Sequence, residues 1–158
     1  MYSHEPDTVT EVHTDASALA IGAVLLQKIS GQPSFRPVAY FSKKLTNAQQ
    51  NYSATDREML AIVETLQHWR HYLHGLNFVV RTDHKPLTYF FSQPNLSQRQ
   101  LRWLEKLSDF MPGVSLQYTQ GKENIIPDRL SRRPDFLSAL TTSVLVPETE
   151  FLRRLAIS

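Results

Sequence analysis

From Val9 to Thr14 apolar and polar residues alternate, the period of a strand with one buried face, and the run ends at Asp15. Leu19 to Gln27 is apolar and β-branched enough for a second strand, with Gly22 allowing close backbone approach. Ser30-Gly31-Gln32-Pro33 is a turn, and Arg36 to Ser42, with Val38, Tyr40 and Phe41, reads as a third strand. Three strands in succession predict an antiparallel meander. The period then changes. Met59, Ile62, Leu66, Trp69 and Leu73 recur at three- and four-residue steps, one face of an α-helix. Ser53 with Asp56 resembles a capping box with Asp in the Glu position, Thr46 with Gln49 caps a short preceding turn, and Gly75 is a natural stop.

The apolar run Leu76 to Val80 reads as a buried strand, after which Pro86 forces a turn or a helix start. Asn95 to Asp109, with Leu96, Leu101, Leu104 and Leu107, reads as an amphipathic helix. Pro112-Gly113 is a turn, Val114 to Thr119 a fifth strand, and Pro127 suits the first position of a final helix. The order βββ-α-β-α-β-α predicts an α/β fold, a mixed sheet with helices packed on it. The strands before Asp15 and Asp83 are expected to run parallel and adjacent, bringing both carboxylates to one sheet edge. Residues 1–7 read as a polar, flexible lead-in, 8–133 as the folded domain, and 134–158, without clear periodicity, as a tail or linker.

Composition narrows the class. A chain of 158 residues with 41% apolar content suits one domain plus tails. It has no run of eighteen apolar residues and no signal peptide, so no membrane role is expected. The absence of Cys excludes disulfides and thiolate metal sites and fits an intracellular or particle-enclosed protein. A net charge of +2 does not identify a nucleic-acid binder. Between Arg81 and Lys106, however, five Lys/Arg face only two Asp/Glu, with Tyr89, Phe90, Phe91 and Trp103 interleaved. That pattern suits a nucleic-acid face and equally a solvated helix.

Four acidic residues sit at junctions of predicted elements: Asp15, Glu58, Asp83 and Asp128. Hydrolysing a phosphodiester needs a nucleophilic water and a stabilised leaving oxygen, and two divalent ions about 3.5–4 Å apart supply both. Hard ions such as Mg²⁺ take carboxylate oxygens. At about 100° per residue, Glu58 lies on one border of the apolar stripe, Asp56 on the other, and Glu64 on the opposite face. Periodicity excludes Glu64 and leaves Asp56 and Glu58 both open. His68, His71 and His74 lack an evident fourth ligand and read as a partly exposed helix face rather than a zinc site. His13 is expected to point away from Asp15, and Trp69 to be core.

The blocks His13-Thr14-Asp15-Ala16-Ser17, Pro37-Val38-Ala39-Tyr40, Asn51-Tyr52-Ser53, Glu58-Met59-Leu60-Ala61-Ile62-Val63, Arg70-His71-Tyr72-Leu73, Thr82-Asp83-His84-Lys85-Pro86-Leu87, Gly121-Lys122-Glu123-Asn124 and Asp128-Arg129-Leu130-Ser131-Arg132 run in order over residues 8–133. Together they resemble the ribonuclease H domain of gypsy-type LTR retrotransposon reverse transcriptases. The resemblance implies a ribonuclease H-like fold, a five-stranded mixed sheet with three antiparallel strands followed by two parallel ones. It implies cleavage of the RNA strand of RNA–DNA hybrids with two Mg²⁺ ions, or Mn²⁺, held by Asp15, Glu58, Asp83 and Asp128. Where relatives carry a mobile His, this chain is expected to use Tyr118. Thr14, Ser17, Thr55, His84, Lys85, Arg99 and Arg102 are the expected contacts to the hybrid. Pro127 and Arg129 depart from the small residues usual around the last carboxylate. The parent polyprotein would also hold polymerase and integrase domains. The resemblance further implies a place inside the cell, in the cytoplasm, a virus-like particle or the nucleus. The rival expectations are a catalytically weak hybrid-binding or bracing module, and an integrase-type nuclease. The early position of Glu58 disfavours the last.

Overall fold

A computed structural model describes residues 2, 3 and 5–120. Strands β1 (Val9–Ala16), β2 (Ala20–Lys28) and β3 (Arg36–Lys44) form the expected meander. Helices α1 (Asn47–Gln50), α2 (Ala54–His68) and α3 (Arg70–Leu73) lead to β4 (Phe78–Thr82). A 3₁₀ helix (Lys85–Ser92), α4 (Gln98–Ser108) and β5 (Val114–Tyr118) complete the described fold. The sheet order is β3-β2-β1-β4-β5. β1–β2 and β2–β3 are antiparallel, β1–β4 and β4–β5 parallel, as the sequence predicts.

The register explains which side chains are covered. Ala39, Leu25, Val12, Val80 and Leu116 are successive cross-strand neighbours, and this row faces the helices. Met59, Ile62, Leu66 and Trp69 bury the α2 stripe against it, and Trp103 and Leu107 of α4 extend the same core. Trp103 is therefore a core residue packed near Tyr52. The next row, Tyr40, Val24, His13, Arg81 and Gln117, lies on the opposite sheet face, because strand side chains alternate.

Local chemistry sets the helix ends. Thr46 and Gln49 make a full capping box on α1. Ser53 Oγ caps α2 by accepting from Asp56 N–H, but the Asp56 carboxylate turns to α4 instead of completing a box. A box missing from the sequence reading, Ser97 with Gln100, starts α4 three residues later than expected. The long helix predicted through Leu73 breaks at Trp69, yet Trp69 and Leu73 both stay buried. Gly75 makes the turn into β4 with φ of 79°. The lead-in is anchored where it is described: Tyr2 stacks on Tyr72, and Ser3 N–H donates to the Gln27 side chain. Pro127 and the final helix, with the tail, lie outside the described residues.

Gly113 sits where β5 begins, its carbonyl accepting from Phe78 N–H. A methyl group there would drive into the Leu76 carbonyl. Gly113→Ala is expected to cost about 2–3 kcal/mol, the usual range for forced overpacking, measured by urea unfolding. A cost below about 0.5 kcal/mol would mean that the β4–β5 connection yields freely.

Candidate metal centre

Asp15 comes from the last pleat of β1, Asp83 from the residue after β4, and Glu58 from the second turn of α2. Because β1 and β4 are parallel neighbours, their C-terminal ends meet, and α2 crosses above them. One carboxylate oxygen from each of the three residues lies within 4.8 Å of the other two. This is the one such acidic or histidine cluster among the described residues. Of Asp56 and Glu58, both left open by periodicity, it is Glu58 that joins this cluster. Asp56 accepts from Arg99 Nη1 and Gln100 Nε2, bracing α2 to α4.

Glu58 is 8% exposed. Its Oε1 accepts from Ala16 N–H, while Oε2 is buried without a hydrogen-bond partner. Burial, then repulsion from Asp15 and Asp83, pushes its pKa up to about 9, against the weaker pull of the Ala16 hydrogen bond. A buried carboxyl with one unpartnered oxygen, grouped with two more carboxylates, is an all-oxygen donor set suited to a hard divalent cation.

The other expected site residues are scattered around this point. Thr55 Oγ1 and His84 Nε2 lie 2.8 Å apart, joining the first turn of α2 to the residue after Asp83. Lys85 and Arg102 are exposed. Arg99 stacks on Tyr52, 3.7 Å from the ring centre, besides its Asp56 contact. Thr14 is fully buried, and Ser17 Oγ closes the β1–β2 turn, donating to Ala20 carbonyl and accepting from Leu19 and Ala20 N–H. Tyr118, 45% exposed, is in register with Thr82, one residue before Asp83. Asp128 lies outside the described residues.

Two features went unread in the sequence. One is the Asp56 brace. The other is a network around Glu11, which accepts from Arg81 Nε at 3.1 Å and Nη2 at 2.9 Å and pairs with His13 Nε2 at 2.8 Å. Burial raises the Glu11 pKa, but the hydrogen bonds from Arg81 and His13 outweigh it and the net shift is downward. Residues two apart in a strand share a face, so Glu11, His13 and Asp15 line one side of β1. The expectation that His13 points away from Asp15 fails on that period. The His68 ring stacks on Phe41, and desolvation lowers its pKa.

Comparison with known proteins places this geometry. Residues 5–110 match the model of the RNase H-like domain found in reverse transcriptase. The chain belongs to that family. The Pol polyprotein of transposon opus from Drosophila melanogaster is 40% identical over 132 residues, 83% of this chain and 13% of the polyprotein. The Tf2-3 polyprotein of Schizosaccharomyces pombe is 43% identical over 129 residues, 78% of this chain and 9% of the polyprotein. The chain thus spans about a tenth of the length of these retrotransposon relatives. Among solved structures, LC11-RNase H1 in complex with RNA/DNA hybrid is similar, with TM-score 0.56, 10% identity and coverage of 78% of this chain and 92% of that one. A foamy viral protease-reverse transcriptase in complex with double-stranded DNA is similar too, with TM-score 0.56, 20% identity and coverage of 74% and 20%. These likenesses establish the ribonuclease H fold. The domain is thus of the RNase H-like kind found in reverse transcriptase, and its similarity to retrotransposon polyproteins is consistent with the gypsy-type resemblance. Among the described residues no helix is long and apolar enough to cross a membrane.

Proposed function

We propose that this domain is a divalent-metal-dependent endonuclease that hydrolyses the RNA strand of RNA–DNA hybrids. The observation that carries the proposal is the convergence of Asp15, Glu58 and Asp83 at the paired strand ends of a ribonuclease H fold. Asp128, supplied by the chain beyond β5, is assigned as the fourth carboxylate. Two Mg²⁺ ions, or Mn²⁺, would supply an activated water and stabilise the leaving oxygen. The carboxylates hold and space that charge, and the Ala16 N–H fixes one Glu58 oxygen. His84, held by Thr55, and the exposed Lys85 flank Asp83 and face the substrate backbone. Tyr118 takes the place of the family's mobile His, and Arg102 with Arg99 extends the contact along α4. Recognition rests on phosphates and 2′-hydroxyls rather than base edges. We assign the polymerase and integrase domains of the parent polyprotein as partners, and the cytoplasm or a virus-like particle as the place of action.

The test is incubation of the chain with a hybrid labelled on its RNA strand, an all-RNA duplex and an all-DNA duplex, in Mg²⁺, Mn²⁺ or EDTA. Cutting of the hybrid RNA alone, abolished by EDTA, is expected. A hybrid that is bound but uncut in either metal would replace the nuclease with a binding module.

A further inference from the structure

The first turn of α2 is fastened on two sides. Thr55 Oγ1 lies 2.8 Å from Nε2 of His84, the residue that follows Asp83. On the other side the Asp56 carboxylate, its side chain only 17% exposed, reaches α4. Its Oδ1 accepts from Gln100 Nε2 at 3.1 Å and its Oδ2 from Arg99 Nη1 at 3.2 Å. Both donors are themselves held. The Gln100 side-chain oxygen accepts from Ser97 N–H in the α4 capping box, and the Arg99 guanidinium lies 3.7 Å from the Tyr52 ring centre. Helix α4 in turn is anchored in the core by Trp103 and Leu107. An acidic residue in a first helical turn ordinarily serves the helix dipole. Here both Asp56 oxygens also engage residues 43 and 44 positions away.

We propose that Asp56 is a positioning residue for the metal site: through Arg99 and Gln100 it holds the start of α2 against α4, and so keeps Glu58 in place beside Asp15 and Asp83. This role rests on the metal reading given above. Glu58 stands two residues after Asp56, and of the three clustered carboxylates it is the one carried by a helix, while Asp15 and Asp83 belong to the sheet edge. Carboxylates whose oxygens lie within 4.8 Å of one another repel, and that repulsion acts to part the helix from the strand ends. Helix ends are also where helices fray. A site of this kind must be held to within about 0.5 Å, so a small shift of α2 is enough to misplace a ligand. The Ala16 N–H, 3.2 Å from Glu58 Oε1, resists the shift from the strand. The Asp56 contacts resist it from the helix, and Asp56 itself stands outside the cluster.

Mn²⁺ binding is measured by isothermal titration calorimetry without nucleic acid, on the full chain and on Asp56→Ala, Arg99→Met and Gln67→Ala. Urea unfolding of each in EDTA reports the fold separately. Different roles for Asp56 give different signs. If Asp56 acted by its charge alone, or as a ligand, Arg99→Met would tighten Mn²⁺ binding, because a competing cation is removed. If it served only the helix dipole, Arg99→Met would change nothing. A brace weakens binding when it is cut from either side. Asp56→Ala is expected to raise the Mn²⁺ Kd about fivefold, less than the roughly 10–100-fold lost with a residue bonded directly to a ligand. Arg99→Met keeps an aliphatic stem beside Tyr52 and is expected to raise the Kd about threefold, since Gln100 still holds Asp56. Gln67 Nε2 donates to the Lys106 carbonyl, a tie to α4 at the far end of α2. Gln67→Ala cuts that tie and is expected to bind within about 1.5-fold of the parent, as distant sites act independently. Unchanged binding by Asp56→Ala, equal or tighter binding by Arg99→Met, or a Gln67→Ala loss as large as that of Asp56→Ala would each overturn the proposal. If Asp56→Ala does not fold, the Arg99→Met result still decides. A parent chain that binds no Mn²⁺ would overturn the metal reading itself, and this proposal with it.

Discussion

Asp83→Asn is expected to slow single-turnover cleavage of hybrid RNA by about a thousandfold while leaving hybrid affinity within a few-fold. The substitution keeps the size of the side chain and removes its charge. Stabilisation of transition-state charge at such a centre is worth several kcal/mol, and about 4 kcal/mol corresponds to a thousandfold. The loss is expected because an Asp83 oxygen is one of the three within 4.8 Å of one another. Neighbouring His84 and Lys85 are untouched, so the backbone contacts proposed for them are expected to persist. Cleavage rates are followed on labelled RNA at saturating protein, and affinity by fluorescence anisotropy in EDTA. Cleavage within tenfold of the parent would remove Asp83 from the centre. A parallel loss of binding would make it a substrate contact instead.

The parts of this fold that the sequence made legible are those where local period and tertiary burial agree. The alternation in β1 and the apolar runs in β2 and β4 each point one face at the helices, so the meander and the parallel β1–β4 pair followed from pattern alone. Where two backbone solutions bury the same residues, pattern is silent. Trp69 and Leu73 continue the α2 stripe whether or not the helix breaks between them, and it does. Asp56 and Glu58 flank that stripe symmetrically, and what separates them is the arrival of Arg99 and Gln100 from forty residues away. The family resemblance chose Glu58 because it carries tertiary information that periodicity lacks. Glu11 had a weak signal, a charged residue inside an otherwise buried strand pattern, but its partner Arg81 is 70 residues distant. The boundary of β4 moved from Leu76–Val80 to Phe78–Thr82 for a related reason: its pairing with β1 and β5 defines it, not its hydrophobicity.

Glu58→Gln is expected to stabilise the metal-free protein at neutral pH while destroying its response to divalent ions. In the folded chain burial and two nearby carboxylates hold the Glu58 pKa at about 9, whereas an unfolded chain returns it to 4.5. Between those values the folded state keeps a proton that the unfolded state has released. Stability from this group is therefore fully present below pH 4.5 and declines as pH rises, until the folded carboxyl itself ionises near pH 9. The limiting slope is about 1.4 kcal/mol per pH unit, so on the order of 3 kcal/mol is lost by pH 7 from this residue alone. The amide introduced by Glu58→Gln would mimic the protonated carboxyl at every pH and remove the decline. Urea unfolding in EDTA from pH 5 to 8.5 measures the slope in both proteins. The parent is expected to fall with pH and the variant to stay nearly flat, with the variant the more stable at pH 7. Adding Mg²⁺ should raise the parent's stability and narrow the gap, because bound cations favour the ionised carboxylate that burial alone opposes. A variant less stable than the parent in EDTA at pH 7 would show that Glu58 is a net structural asset as an anion. The buried, unpartnered Oε2 would then need another explanation than a cation site. Destabilisation of this kind is what a site built for charge should display when empty, since active-site carboxylates are held together against their own repulsion by the rest of the fold.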